Sequence, residues 1–463
     1  MRSLISRGIV VAMCGGAAAC SSAASSADPS DAGAGRADTG TETDTGTVLR
    51  PDATPLADGA MLGDAPGDAS APGSDGEPGE DAGGGSVDGA GPGTFVHPGI
   101  LVDQGMLDFV KAKIAAGAEP WTSALAQASS SSFGALSYVP HPRADVDCGP
   151  SSNPDLGCTD EKNDVVAAFT QALLWVHTGD AQHAQVAIQI MNAWSSTLKE
   201  HTNSNAPLQS AWAAEVFPRA AEIIRYTNAG WSPADVQQFA TMLEDVYLPE
   251  VVDGSTSNGN WDTSMIEATM NIAVFLDDAA TFQKAVAMWK ERTPAYIYLT
   301  SDGPLPVQPP RDPKSTSALE TYWYEPTAFI DGLTQESCRD LPNSGTQGFG
   351  HAQYGVAGII NAAETARIQG VDLFSLEEKR ITAMLELHAG YLNGASVASL
   401  CKTPIATPSA DPMWEIGYNA YANVLGQALP QTEKLIGTIR PTGATHHMVW
   451  ETLTHGDIGA AGL

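Results

Sequence analysis

Residues 335–374 read QESCRDLPNSGTQGFGHAQYGVAGIINAAETARIQGVDLF, and the periodicity of this stretch decides the fold. Pro342 and Gly345 mark a loop that carries Glu336, Arg339 and Asp340. A helix is predicted over Gly350 to Gln369, closing at Gly370. On a helical wheel Val356, Ile359, Ile360, Ala363 and Ala366 form one apolar stripe. His351 and Tyr354, three residues apart, share a face well away from that stripe. An imidazole and a phenol on the polar side of a core helix, preceded by a guanidinium-bearing loop, suit proton transfer beside an anion clamp.

Outward from this helix the pattern repeats. Glu161 to Thr178 reads as a helix ending at Gly179, and Asp180 caps the next, which starts at Ala181. Ala211 to Thr227 is another, interrupted at Pro218, and Ser232-Pro233 opens one running to about Tyr247. Asp262 to Leu276, Ala279 to Arg292, Ser375 to Leu392 and Trp414 to Leu429 follow. Strand patterns are confined to Ala295 to Leu299 and Val449 to Leu453. The class is all-α, with few short strands. Helices joined in pairs by short turns fit either an α/α toroid or a generic helical bundle.

The chain has 463 residues and a formal net charge of −31. Arg2 and Arg7 precede an apolar run from Ile9 to Ala19, too short for a permanent membrane span. Ala17-Ala18-Ala19-Cys20 resembles a bacterial lipobox, so residues 1–20 are expected to be a lipoprotein signal peptide with Cys20 lipidated. Ordinary secretion with cleavage near Ala19 is the competing reading. Residues 21–94 are Ala, Gly, Asp, Ser, Thr and Pro, with fourteen acids against two arginines. Such a segment buries too little surface to offset its ordering entropy and reads as an acidic tether. Residues 95–463 form the globular part. The expected product is an exported bacterial lipoprotein at the outer membrane, cell surface or periplasm, touching membrane only through its lipid.

Cysteine spacing agrees with export. Cys148 and Cys158 bracket a Gly/Pro/Asn loop and are expected to pair, leaving Cys338 with Cys401. No CxxC or HxxxH spacing points to zinc, so neither metal nor other cofactor is expected.

Arg339-Asp340, His351, Tyr354 and Gly370-Val371-Asp372-Leu373 together resemble the alginate-lyase domain family of polysaccharide lyases. Its common motif is Arg-Asp-x-x-His-x-x-Tyr, then an Ala/Glu-rich helix and Gly-x-Asp-Leu. Here an extra segment, roughly Leu341 to Gly348, separates the Arg from the His. The segment from Asn258-Gly259-Asn260-Trp261 through WKERTPAYIYLTSDGPLP resembles a second signature, and Asn205 to Trp212 a third. In relatives an Asn-Asn-His group occupies the second turn; this chain has Asn258 and Asn260 without the His. The resemblance spans about Cys148 to Glu451. It implies an (α/α) toroid or incomplete barrel with a central cleft, and β-elimination on alginate or a related polyuronate.

That chemistry removes the weakly acidic C5 proton of a uronate while hydrogen bonds or a cation stabilise charge developing on its carboxylate. Asn260 and Arg339 suit the carboxylate, with Asn258, Trp261 and Glu336 beside them. An Asn at a helix start is also an ordinary N-cap. Tyr354 is expected to move protons, because an adjacent cation favours phenolate; His351 is its base partner or orienting neighbour. Gln209 and Trp212 are candidates for a sugar subsite, Trp212 by stacking, although Trp on a helix is often core. The aromatic and His-rich WEIGYNAY and HHMVWETLTH segments, Trp414 to Tyr421 and His446 to His455, are left without roles beyond cleft lining.

The globular part carries a net −21, a poor field for attracting a polyanion. Local positive charge must then come from Arg339, Arg219, Arg225 or Arg311. Two other functions are open: a glycoside hydrolase using two of Asp262, Glu267, Glu325 and Glu336, and a glycan-binding lipoprotein without catalysis. No basic stripe or phosphate-binding loop points to nucleic acid. The expected partner is an anionic polysaccharide, and the expected state a monomer.

Overall fold

The computed structural model describes residues 94–256, 259–309, 311, 319–342, 348–395 and 400–460. The signal segment with Cys20, the tether up to residue 93, Asn258 and residues 343–347 lie outside the described residues.

A two-residue-strand hairpin, β1 (Gly99–Ile100) and β2 (Val102–Asp103), enters α1 (Gln104–Ala115), whose N-cap Asp103 accepts from the Met106 N–H. Then come α2 (Trp121–Ser130) and a small sheet in which β3 (Asp145–Cys148) lies between β4 (Asp155–Leu156) and β5 (Glu200–Thr202). Between β4 and β5 run α3 (Cys158–Thr178), closed by left-handed Gly179, and α4 (Ala181–Thr197), capped by Asp180. α5 (Ala206–Tyr226), α6 (Pro233–Met242) and α7 (Leu248–Val251) follow, with a π-helical turn over Leu243–Tyr247. Next are α8 (Gly259–Phe275), α9 (Ala279–Tyr296) and α10 (Leu319–Tyr322). The chain ends through α11 (Gly350–Ile368), α12 (Leu373–Leu376), α13 (Glu378–Leu392), α14 (Glu415–Tyr418) and α15 (Pro430–Ile439). A last hairpin, β6 (Ala444–Thr445) and β7 (Met448–Val449), precedes α16 (Glu451–His455).

Packing order makes this an α/α toroid. α3, α5, α8 and α11 touch in succession; α11 meets α14, α14 meets α16, and α16 reaches α1 and α2, which return to α3. α4 backs α3 and α5, α6 backs α4, and α9 backs α8 and α11. An inner helix is covered on every side, so its sequence need not be amphipathic. α11 obeys this: of its residues only Tyr354 and Arg367 escape burial. The stripe from Val356 to Ala366 is buried as expected, but the opposite face carrying His351 is enclosed too. Each fully buried Ile of that stripe contributes about 1.5–3 kcal/mol.

Other expectations are corrected. α5 continues through Pro218, because as a buried inner helix it is held by neighbours on both sides. Ala295 and Tyr296 end α9, and only Ile297 bridges to Thr334; Leu453 belongs to α16, leaving Val449 alone in a strand. Both expected disulfides form, Cys148–Cys158 and Cys338–Cys401. No helix among the described residues is long and apolar enough to cross a membrane.

Candidate active site

The loop before α11 is built to hold two side chains in place. Gln335 accepts from Arg292 Nη2 at 2.7 Å, and the Ser337 hydroxyl meets His388 Nε2 at 2.9 Å. His388 Nδ1–H donates to the Met384 carbonyl at 3.0 Å, so its Nε2 accepts from Ser337. Cys338–Cys401 then fastens the loop to the segment beyond α13. Glu336, fully buried, gathers the site. Its Oε2 accepts the Asn260 N–H at 2.9 Å and the Tyr296 hydroxyl at 3.0 Å. Its Oε1 accepts from Asn260 Nδ2 at 2.7 Å and Arg339 Nη1 at 2.6 Å. One carboxylate therefore aligns the first turn of α8 with the guanidinium loop.

Tyr296 reaches Glu336 because two glycines make room for its ring. A Cβ on Gly259 would lie 2.0 Å from Tyr296 Cε2, and one on Gly355 would lie 2.1 Å from its hydroxyl. Burial and the Glu336 charge push the Tyr296 phenol well above its usual range, so it stays a donor. Sequence reasoning missed Tyr296, reading its segment as a strand.

The same loop grips α11. His351 Nδ1–H donates to Asp340 Oδ1 at 2.5 Å, and the His351 backbone N–H to Oδ2 at 3.2 Å. Both side chains are buried. One turn on, Tyr354 is half-buried, its ring 6.4 Å from that of His351. Asp411, held by Gln353, is pushed up to about 7 by burial and the nearby Asp340 charge.

The opposite wall of Tyr354 comes from the β6–β7 hairpin. The His446 ring lies 4.9 Å from Tyr354 and 4.8 Å from Trp212; the His447 ring is 6.2 Å from Tyr354. Trp212 is 2 % exposed, with Lys162 Nζ 5.2 Å over its ring. Nothing in the local sequence announces this convergence, since the hairpin and Tyr354 are joined only by ring closure.

Beneath the hairpin lies a buried ionic cluster. Glu215, Glu267 and His447 bring one donor atom each within 4.8 Å of one another, a grouping that suits a cation. Arg219 already supplies positive charge there, paired with Glu267. Burial pushes Glu215 up to about 8 and Glu267 up to about 7, with Arg219 opposing both.

The other candidates fall in different places. Gln209 is buried, its amide donating to Cys158 O at 3.1 Å and Glu161 Oε2 at 2.6 Å. Trp261 is half-buried against the core at the start of α8. Arg219 is buried against Glu267, Arg225 donates to the Phe275 carbonyl, and Arg311 pairs with Asp262 and Glu291. Of the four cations considered, Arg339 is the one held by Glu336. The carboxylates suggested for hydrolysis are committed as well, Asp262 to Arg292 and Arg311 and Glu336 to Arg339; Glu325 is exposed. A cavity of about 620 Å³ lined by Arg225, Trp231, Glu244 and Asp278 shares no residue with the site.

Known structures share this architecture. Alginate lyase A1-III from Sphingomonas species A1 is 14 % identical, with a TM-score of 0.56 over 78 % of this chain and 97 % of that one. A histidine-to-alanine variant of A1-III complexed with tetrasaccharide is 16 % identical, with a TM-score of 0.54 over 78 % and 96 %. A tyrosine-to-phenylalanine variant, also with tetrasaccharide, is 15 % identical at 0.55 over 78 % and 97 %. No curated protein matches the chain in sequence. Residues 112–397, more than half of the chain, match the alginate lyase family, and the chain belongs to that family.

Proposed function

We propose that the protein cleaves a uronate-containing polysaccharide, alginate or a related polyuronate, by β-elimination. The observation that carries this reading is the arrangement around Glu336 and Asp340. The first couples Asn260 to Arg339, and the second sets His351 one turn before Tyr354. Asn260 and Arg339 bind the sugar carboxylate and stabilise the enolate-like charge that grows as the C5 proton leaves. Tyr354, the half-buried phenol of an otherwise enclosed helix segment, protonates the departing O4. His351, fixed by Asp340, orients it. The C5 proton passes to an imidazole beside Tyr354, the electrons of the C5–H bond form the C4–C5 double bond, and the C4–O4 bond breaks.

Two further points support the reading. A1-III, similar in fold, takes a tetrasaccharide in variants of a histidine and a tyrosine, the residue types paired here. Two of the carboxylates suggested for hydrolysis, Asp262 and Glu336, are tied to arginines rather than poised as an acid and base pair. Two disulfides support export, and we propose an anchored location through Cys20. The test is a panel of alginate, glucuronan and pectic polymers followed by ultraviolet absorbance. Elimination yields an absorbing unsaturated uronate; hydrolysis and simple binding do not.

A further inference from the structure

Two adjacent histidines turn the β6–β7 hairpin, and their duties are divided. Thr445 pairs with Met448, so His446 and His447 are the two-residue connection. His447 is the anchor. Its Nε2–H donates to the Tyr354 carbonyl at 3.1 Å, because a carbonyl only accepts, and its own carbonyl accepts from Arg219 Nη1 at 2.8 Å. Nδ1 is then unprotonated and lies 3.1 Å from Glu215 Oε2. The anchor is neutral, buried and fixed to the backbone of the residue that bears the phenol.

His446 points to a different task. Its φ of +47° is the left-handed conformation that a two-residue hairpin turn calls for. The turn carries a half-buried imidazole into the gap between Tyr354 and Trp212. Its Nδ1 lies 3.0 Å from the Thr445 hydroxyl. The charged or titratable groups around it are Tyr354 on α11, Lys162 of α3 above Trp212, and His447 beside it.

We propose that His446 is a catalytic residue of this cleft, the base that takes the C5 proton while Tyr354 acts as the acid. This rests on the elimination reading above. Neutral His446 accepts the C5 proton at its unprotonated ring nitrogen, the C4–C5 double bond forms, the C4–O4 bond breaks, and O4 takes the Tyr354 hydroxyl proton. The products are imidazolium and phenolate on rings 4.9 Å apart. Transfer of one proton from the first to the second restores both, with no outside reactant. Supplied by the C-terminal hairpin, this imidazole meets the need that the Asn258–Asn260 turn, which has no adjacent His, leaves open.

His446→Asn tests this, since Asn tolerates the left-handed backbone but cannot titrate. On a polyuronate that the wild type degrades, kcat should fall by about 10²–10⁴-fold with little change in KM or Tm. His446→Gly, which leaves space for a free imidazole, should recover activity as imidazole is added, with a pH dependence set by the added base. A His446→Asn variant with wild-type kcat, or a His446→Gly loss that imidazole does not relieve, overturns the assignment. A wild type that forms no unsaturated product on any polymer overturns the elimination reading and this assignment with it.

Discussion

Asp340 and His351 stand eleven residues apart in sequence, yet their side chains meet at 2.5 Å, Oδ1 to Nδ1, both buried. The extra segment between them therefore does not separate the guanidinium loop from the helix bearing the phenol. Arg339 is one residue from this contact and Tyr354 three. Asp340→Asn keeps the volume and loses the charged acceptor, so the imidazole can settle in the wrong tautomer. We expect kcat to fall about 10²-fold with substrate binding nearly intact, as steady-state kinetics would show.

Tyr354→Phe removes one oxygen from a half-buried side chain and leaves its ring contacts with His446 and His351 in place. Tm should stay within about 2 °C of the wild type, while turnover drops by at least about 10²-fold. Full activity in this variant would end the assignment of the phenol as proton carrier.

Glu336 is the hub of the carboxylate clamp. Glu336→Ala strands the Asn260 amide, the Arg339 guanidinium and the Tyr296 hydroxyl in a buried site. Removing one partner from a buried charged network costs about 3–5 kcal/mol, so denaturant unfolding should report a large loss. Arg339→Lys tests the clamp with less disruption: KM for a polyuronate should rise, and kcat should fall through lost stabilisation of developing charge.

The Glu215–His447 contact predicts how stability depends on pH. Glu215 is raised to about 8 in the folded protein by burial, so the fold holds a proton that the unfolded chain releases near the ordinary carboxylate range. Its stabilising contribution is complete below that range and is lost as pH rises toward about 8. His447, lowered to about 4 by burial, acts in the other direction, costing stability as pH falls from about 6.5 toward 4. Tm should therefore decline between about pH 6.5 and pH 8, above the range in which the two effects oppose each other. Glu215→Gln, which cannot titrate, should flatten that decline; an unchanged slope would refute a Glu215 raised by burial.

Cys338–Cys401 closes 63 residues of chain and sits next to Arg339. Replacing both cysteines by Ala should cost about 2–4 kcal/mol in unfolding free energy. It should also lower kcat, because the loop that carries Glu336 and Arg339 loses its tie.

Helices with strong local signals were readable from sequence: Gly179 and Asp180 punctuate α3 and α4, and Ser232-Pro233 starts α6, as written. Pro218 misled because the packing around α5 outweighs a single missing N–H. Ile297 to Leu299 are branched or aromatic but have only one bridging partner, so their strand propensity goes unused. At the site, Arg339, Asp340, His351 and Tyr354 were legible because one loop and one helix turn hold them within a short spacing. Glu336's union with Asn260 is 76 residues long-range, and the His446–Tyr354 contact depends on closing the ring. No periodicity encodes either. Gln209 looked like a subsite residue because amides suit sugars, yet Glu161 and the Cys158 carbonyl hold it in the core.

The central claim is elimination at Tyr354, and one paired measurement tests it most directly. New reducing ends and ultraviolet absorbance are followed together as the protein degrades a polyuronate. One unsaturated uronate should appear for every new reducing end, with both signals lost in Tyr354→Phe. Reducing ends that accumulate without absorbance would contradict it, whatever the rate.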